Sequence, residues 1–318
     1  MGYLLTARHL RKTYAHNGKT VEAVKSLDLS IRPGEILGFL GPNGAGKTTT
    51  LRMLATLLLP DAGEATVAGF DLVKEASRVR TRIGYVSQAG GSDRNATGFE
   101  NLALQGQLYG MTRREAYQRS ESLLAAFNLT GIAGRKAETY SGGQRRRLDV
   151  ALGMVHTPEL LFLDEPTTGL DPQNRSDMWQ EIRRLKAEGV TIFLTTHYMD
   201  EADVLSDRIA IMDHGEIVTE GTSAELKKRI SGDTVLLGFE DGGSIARVQP
   251  LLGSLSFVTA LHPAPGGIRL FVADGERVLP EILRLLDREQ AGLKTVSLAR
   301  PTLDDVFLKE TGRALEAL

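Results

Sequence analysis

The chain has 318 residues, with 38 Lys and Arg against 40 Asp and Glu and no Cys. That length suggests about two domains, one able to bury a large core, and 42% hydrophobic with 25% charged residues is the composition of a soluble globular protein, not of a disordered or fibrous one. The balanced charge supplies no overall basic field, so no nucleic-acid partner is expected, and the missing cysteine excludes disulfides, zinc-thiolate sites and a cysteine nucleophile.

In the N-terminal segment, Arg8, Arg11 and Lys12 interrupt before the apolar part of a secretory signal can form. Met1-Gly2 through Thr6 matches the loose myristoylation template, but the alternation leading to Leu10 fits an edge strand better. Tyr14 lies in a Lys-Thr-Tyr segment ahead of a turn expected at Asn17-Gly18.

Residues 36–40, Ile-Leu-Gly-Phe-Leu, read as a short buried strand, and Gly41-Pro42-Asn43-Gly44-Ala45-Gly46-Lys47-Thr48 follows directly. This matches G-x-x-x-x-G-K-[ST] in full, in the strand-then-helix context the motif requires. Glycines let the backbone curl so that its N–H groups face phosphate oxygens, and the helix expected over 47–59 adds its positive end. Lys47 then reaches the β and γ phosphates, and Thr48 offers a hydroxyl to Mg²⁺.

Farther on, Thr112 and Glu115 have capping-box spacing, and Ala116, Ser120, Leu123, Leu124 and Phe127 form the buried stripe of a helix. Ser141 and Gln144 repeat that spacing around Gly142-Gly143, which makes a cap and also a second anion-binding helix end. Arg145 to Arg147 read as a solvated helix face. Leu160 to Leu163 form a buried strand that delivers Asp164 as the metal-side carboxylate and Glu165 as the general base toward an attacking water. Asp171 has the form of a helix cap, and His197 ends a strand expected over 190–195.

Taken in order, the phosphate loop, Gln88 in Tyr-Val-Ser-Gln, Ser-Gly-Gly-Gln from Ser141, Leu-Phe-Leu-Asp-Glu-Pro, Gly169-Leu170-Asp171 and His197 in Leu-Thr-Thr-His resemble the ATP-binding cassette family over residues 3 to about 230. The resemblance implies an α/β fold, a P-loop ATPase core with an antiparallel β subdomain and a helical subdomain at about 97–155. It implies ATP and Mg²⁺ as ligands and a head-to-tail homodimer, with each ATP between one chain's phosphate loop and the other chain's Ser141, Gly142, Gly143 and Gln144. Carried over by position, Gly41, Asn43, Gly44, Gly46, Lys47, Thr48 and Thr49 hold phosphate, and Tyr14 stacks on adenine. Gln88 touches Mg²⁺ or water together with Thr48 and Asp164, His197 holds the γ phosphate, and Asp171 contacts the opposite site. Tyr140 stands where the family more often has Leu.

Composition changes after Gly232, and the remainder reads as strand 234–239, helix 244–252, strand 255–261, strand 267–273, helix 276–290 and strand 293–299, a ferredoxin-like βαββαβ unit with a helix expected at 301–311. The expected domains are therefore 1–230 and an accessory α+β domain at 231–318. The uncharged run from Val248 to Ile268 is broken by Pro250, Gly253, Pro263 and Pro265, so it is not a membrane span. His262 beside Pro263 reads as a loop histidine. This tail, ending Leu303-Asp304-Asp305-Val306-Phe307-Leu308, looks like that of daunorubicin-resistance-type ATP-binding subunits, a group of prokaryotic exporter ATPases.

The expectation is an ATPase at the cytoplasmic face of a bacterial membrane, powering a separate integral-membrane permease that exports a drug or amphiphile. Three alternatives stay open: a cassette protein acting on ribosomes, a DNA-repair ATPase and an importer ATPase. A single Gly-Lys-Thr loop disfavours the first, and the short segment between Gln88 and Tyr140, which cannot hold long heptad arms, disfavours the second.

Overall fold

The structure, a computed structural model, describes residues 2–16, 19–230, 232–240, 242–264 and 266–311, so the turn expected at Asn17-Gly18 lies outside the described residues. The chain divides into two compact units that meet in sequence at Ser223 and Ala224. The first begins with β1 (Leu5–His16), β2 (Lys19–Ile31), β3 (Ile36–Leu40), α1 (Lys47–Leu54), β4 (Ala62–Val67), β5 (Phe70–Asp71), α2 (Ala76–Arg80) and β6 (Ile83–Val86). It continues through α3 (Gly98–Leu108), α4 (Arg113–Ala126), α5 (Gly142–Gly153), β7 (Leu160–Asp164), α6 (Pro172–Ala187), β8 (Thr191–Thr196), α7 (Met199–Leu205), β9 (Arg208–Asp213) and β10 (Glu216–Gly221), with α8 (Ser223–Lys228) at the boundary.

Two sheets form in this unit. One has the order β10-β9-β3-β8-β7-β6, with β9, β3, β8, β7 and β6 mutually parallel and β10 antiparallel at one edge. Its central strands β3, β7 and β8 are buried at every position, which is why they read as continuous apolar runs. Phe39 and Phe162 both pack against Phe193, with ring centroids 5.3 and 5.7 Å apart. Because the strands are parallel, the phosphate loop, Gln88, Asp164-Glu165 and His197 all follow the same end of the sheet, the place where open α/β sheets collect ligands.

The other sheet is antiparallel, with the order β2-β1-β4-β5. Here β1 is an interior strand, paired with β2 on one side and β4 on the other, and not the edge strand its alternation suggests. Helix α1 also ends sooner than expected, because Thr56 enters the left-handed region (φ 61°) and the N–H groups of Leu57 and Leu58 both turn back to Arg52 O. Capping boxes open α3, α4 and α5 at Thr97, Thr112 and Ser141, each contributing about 1 kcal/mol. The α4 stripe of Ala116, Ser120, Leu123 and Leu124, with Phe127 just beyond the helix, is buried as its spacing predicts.

The second unit contains β11 (Asp233–Phe239), α9 (Gly242–Gly253), β12 (Val258–Ala264), β13 (Gly267–Val272), α10 (Gly275–Arg288), β14 (Leu293–Ala299) and α11 (Leu303–Thr311). Its antiparallel sheet has the order β12-β13-β11-β14, the ferredoxin-like arrangement. Strand β12 starts three residues later than expected, since Leu255 and Val258 close successive turns onto Leu252 and Leu255. That shift puts His262 inside a strand instead of a loop, its ring edge-on to Phe271 at 5.6 Å. The Val248–Ile268 run is helix end, turn and strand, and no helix among the described residues is long and apolar enough to cross a membrane.

Candidate active site

The phosphate loop connects the buried end of β3 to α1. Gly44 and Gly46 take φ of 81° and 110°, a region costly for other residues, and a Cβ on Gly46 would fall 2.3 Å from Ala23 O. No side chain caps α1 and no acid lies in its first turn, so its N–H groups remain available to an anion. Lys47 is buried and donates to Gly41 O at 2.7 Å and Pro42 O at 3.0 Å, with Glu165 Oε1 3.7 Å away. Burial pushes its ammonium down from the ordinary value, against the opposing pull of Glu165 and Asp164.

Asp164, at the end of β7, accepts from Thr48 Oγ1 at 3.0 Å and from Thr195 Oγ1 at 2.7 Å through the same oxygen, Oδ1. One carboxylate and one hydroxyl form a sparse, hard-oxygen donor set of the kind that suits Mg²⁺ arriving on a triphosphate.

Glu165 is where the other predicted residues converge. It leaves β7 in the left-handed region at φ 45°, a conformation that costs a non-glycine residue about 1 kcal/mol or more. Its backbone N–H is fixed by Thr195, and its carboxylate accepts from Gln88 Nε2 at 2.9 Å and Thr168 Oγ1 at 3.1 Å. His197 Nδ1 lies 3.3 Å from Glu165 Oε1 but without hydrogen-bond alignment, which leaves that buried nitrogen unpaired. Burial works to raise the Glu165 pKa, yet His197 and Lys47 outweigh it and hold the carboxyl below the usual carboxylate range. An ionised carboxylate at this point can accept a proton.

Sequence reasoning missed Arg146. It is buried, not solvated, and donates to the backbone carbonyls of Ser87, Asp164, Glu165 and Pro166. A single guanidinium thus ties the Gln88 segment to the strand end that carries both acids. Its spacing in α5 relative to the buried Asp149 and Val150 was the one available signal.

Ser141 and Gly142 are exposed at the start of α5, whose first turn has no acid. Gly143 packs so closely that a Cβ would sit 2.0 Å from Asn174 Oδ1, and Asn174 is held by Asp171, the N-cap of α6. Among the described residues neither Ser141 nor Asp171 bonds to the Lys47 loop. Tyr14, 43% exposed on β1, has no ring contact with the site residues.

The same elements occur together in known proteins. An ABC transporter family model matches residues 24–168, and the model of the C-terminal domain of DrrA1-3-like ATP-binding proteins matches residues 221–311. The daunorubicin/doxorubicin resistance ATP-binding protein DrrA of Streptomyces peucetius is 44% identical over 301 residues, 93% of this chain and 89% of that protein. The chain belongs to the ATP-binding cassette family. ATP hydrolysis coupled to transport is the function of this transporter ATPase family. The linearmycin resistance ATP-binding protein LnrL of Bacillus subtilis is 37% identical over 98% of this chain and 99% of its own length. A dimeric, post-hydrolysis ATP-binding cassette bound to ADP and phosphate superposes with a TM-score of 0.63 at 27% identity, covering 69% of this cassette protein and 98% of that chain.

Proposed function

We propose that this chain is the ATP-hydrolysing subunit of an exporter, closing head-to-tail with a second copy on ATP and driving a separate membrane permease that expels a drug or other amphiphile. The observation that carries this reading is the convergence of Gln88, Thr168, His197 and Lys47 on Glu165. Glu165 orients water and takes its proton; Lys47, with the N–H groups of the loop and Thr49 behind it, draws in the β and γ phosphates; His197 faces the γ phosphate. Thr48 and Asp164, together with Gln88, would hold Mg²⁺, which when bound neutralises charge on the β and γ phosphates. The exposed face of Tyr14 offers a stacking surface for adenine.

The exposed N-terminal end of α5, with Ser141, Gly142 and Gly143, supports a composite site completed by the partner chain, and Asp171 lies on the neighbouring helix cap. The permease is supported by a cavity of about 340 Å³ beside Ser87, lined by Leu57, Tyr85, Gln105 and Tyr109. Next to it α3 exposes Leu104 and Leu108, at 59% and 72%. Adjacent exposed leucines are the mark of a protein-binding face. Such a subunit works at the cytoplasmic side of the cell membrane, held there by the permease. The names of the relatives DrrA and LnrL support a drug or antibiotic as cargo.

The test is purification of the tagged protein from its own cells in mild detergent. A co-purifying multispan protein that raises ATP turnover, and that is lost when Leu104 and Leu108 are both changed to Glu, supports the reading. Recovery of ribosomes, of DNA or of a permease with a substrate-binding protein would replace it.

A further inference from the structure

The second unit holds a cavity lined entirely by its own residues. One face of its sheet is covered: Val235, Leu237, Ile268, Leu270 and Val272 share a core with residues of α9 and α10. Because side chains alternate along a strand, the intervening residues stand on the opposite face. Strand register lines them up in rows, Leu236 opposite Arg269 and Arg269 opposite His262, then Thr234 opposite Phe271 and Phe271 opposite Ala260. Together with Leu308 and Lys309 of α11, these residues bound a cavity of about 580 Å³, within the usual range of small-molecule sites.

The floor of this cavity is apolar, from Leu236 and Phe271, and Leu308 adds an exposed leucine at its wall. Its charge is predominantly positive. Of the ionisable groups around it, Asp305 is occupied in capping α11 through Thr302, Arg300 pairs with Glu276, and Lys309 donates to Arg229 O. Arg269 has no hydrogen-bond or ion-pair partner among the described residues and stands exposed in the middle strand, between Leu236 and His262. A second copy pressed onto this face by a two-fold axis would bring like charges together, which is unfavourable. An apolar floor beside an unpaired guanidinium instead matches a ligand with an apolar body and an anionic end.

We propose that this face of the C-terminal unit binds an anionic amphiphile, with its carboxylate or phosphate on Arg269 and its hydrocarbon part over Leu236, Phe271 and Leu308. The unit is then a ligand-binding module in its own right, beyond the ATPase reading above. Such a ligand has two sources, a lipid in the membrane leaflet and a free amphiphile, and both present the same chemistry to Arg269.

The experiment is isothermal titration of the full chain with dodecyl phosphate and, separately, dodecyltrimethylammonium, each below its micelle concentration. The expected result is saturable binding of dodecyl phosphate at one site and at least tenfold weaker binding of the cation. Arg269→Gln should weaken dodecyl phosphate about tenfold or more, Arg269→Lys should retain most of the affinity, and Phe271→Ser should weaken both probes. Basal ATP turnover and the thermal melt of Arg269→Gln should both be unchanged, the melt showing that the exposed substitution leaves the C-terminal unit folded. Flotation with phosphatidylglycerol vesicles but not phosphatidylcholine vesicles, lost in Arg269→Gln, identifies the lipid source; dodecyl phosphate binding without flotation identifies the free amphiphile. Equal affinity for the two head groups, an unaffected Arg269→Gln protein, or a change of oligomeric state in Arg269→Gln with no dodecyl phosphate binding in the parent would overturn the proposal.

Discussion

The Thr167 hydroxyl donates to Glu201 Oε1 across 2.8 Å, between two side chains with no exposed surface. Trp179 Nε1 donates to the same oxygen at 3.1 Å. Thr167 lies two residues after Glu165, Trp179 is on α6 behind the Asp171 cap, and Glu201 is in the first turn of α7, just past His197. One buried carboxyl therefore braces the segments that follow the proposed base, Glu165, and His197. A parallel link runs outside it, where Arg175 lies 4.2 Å from the Tyr198 ring centre.

Burial pushes Glu201 above its ordinary pKa of 4.5, so the folded chain binds a proton there more tightly than the unfolded chain does. Stability must then fall as pH rises above the ordinary value, until the raised folded value is passed. Glu201→Gln is neutral throughout and escapes this loss. The melting temperature of Glu201→Gln relative to the parent should climb between about pH 5 and the raised value and level off beyond it. A difference independent of pH would mean that Glu201 is ionised in the fold.

Lys47→Ala removes the cation proposed to gather the β and γ phosphates. ATP turnover should drop by about 100-fold or more, and ATP binding measured by equilibrium dialysis should weaken. Near-normal turnover in the purified variant would take Lys47 out of the phosphate site.

Glu165→Gln keeps the shape of the side chain but cannot take a proton. Turnover should fall about 10²- to 10⁴-fold, while Lys47, Thr48 and Asp164 still bind Mg²⁺-ATP. Light scattering should show a dimer with Mg²⁺-ATP and a monomer with ADP or without nucleotide. Full activity in this variant would exclude Glu165 as the base.

Arg146→Met should cost about 3 kcal/mol or more, because several buried carbonyls lose their donor together. Arg146→Lys should not restore stability, since one ammonium cannot reach carbonyls that a planar fork spans. Denaturant midpoints of the two variants measure this; a Lys variant as stable as the parent would show that charge alone suffices.

The residues of the candidate site were legible in sequence where the chemistry is local. A glycine loop, a strand ending in two acids and a Ser-Gly-Gly-Gln cap each occupy consecutive positions, so spacing alone displays them. Arg146 and Glu201 were not legible because their partners come from distant segments: the carbonyls held by Arg146 lie 18 to 59 residues away along the chain. The register of β12 was hidden for another reason. Leu255 and Phe257 are apolar because they pack on the core from a turn, and an apolar residue in a turn looks the same in sequence as one in a strand. Similarly, the alternation along β1 marks a strand without telling whether one neighbour or two will pair with it.

The cap at the start of α5 settles which way the Ser141 hydroxyl can act. Ser141 Oγ accepts the Gln144 N–H at 3.3 Å, and Gln144 Oε1 accepts the Ser141 N–H at 2.9 Å. With a lone pair already engaged inside its own chain, the hydroxyl has its hydrogen left to give, so it greets an approaching oxyanion as a donor. Helix capping and anion recognition thus use opposite ends of the same O–H bond and can be separated by substitution. Ser141→Thr retains both, whereas Ser141→Asp retains a good cap but brings a negative charge and no proton, leaving a stable helix that would repel a phosphate placed there.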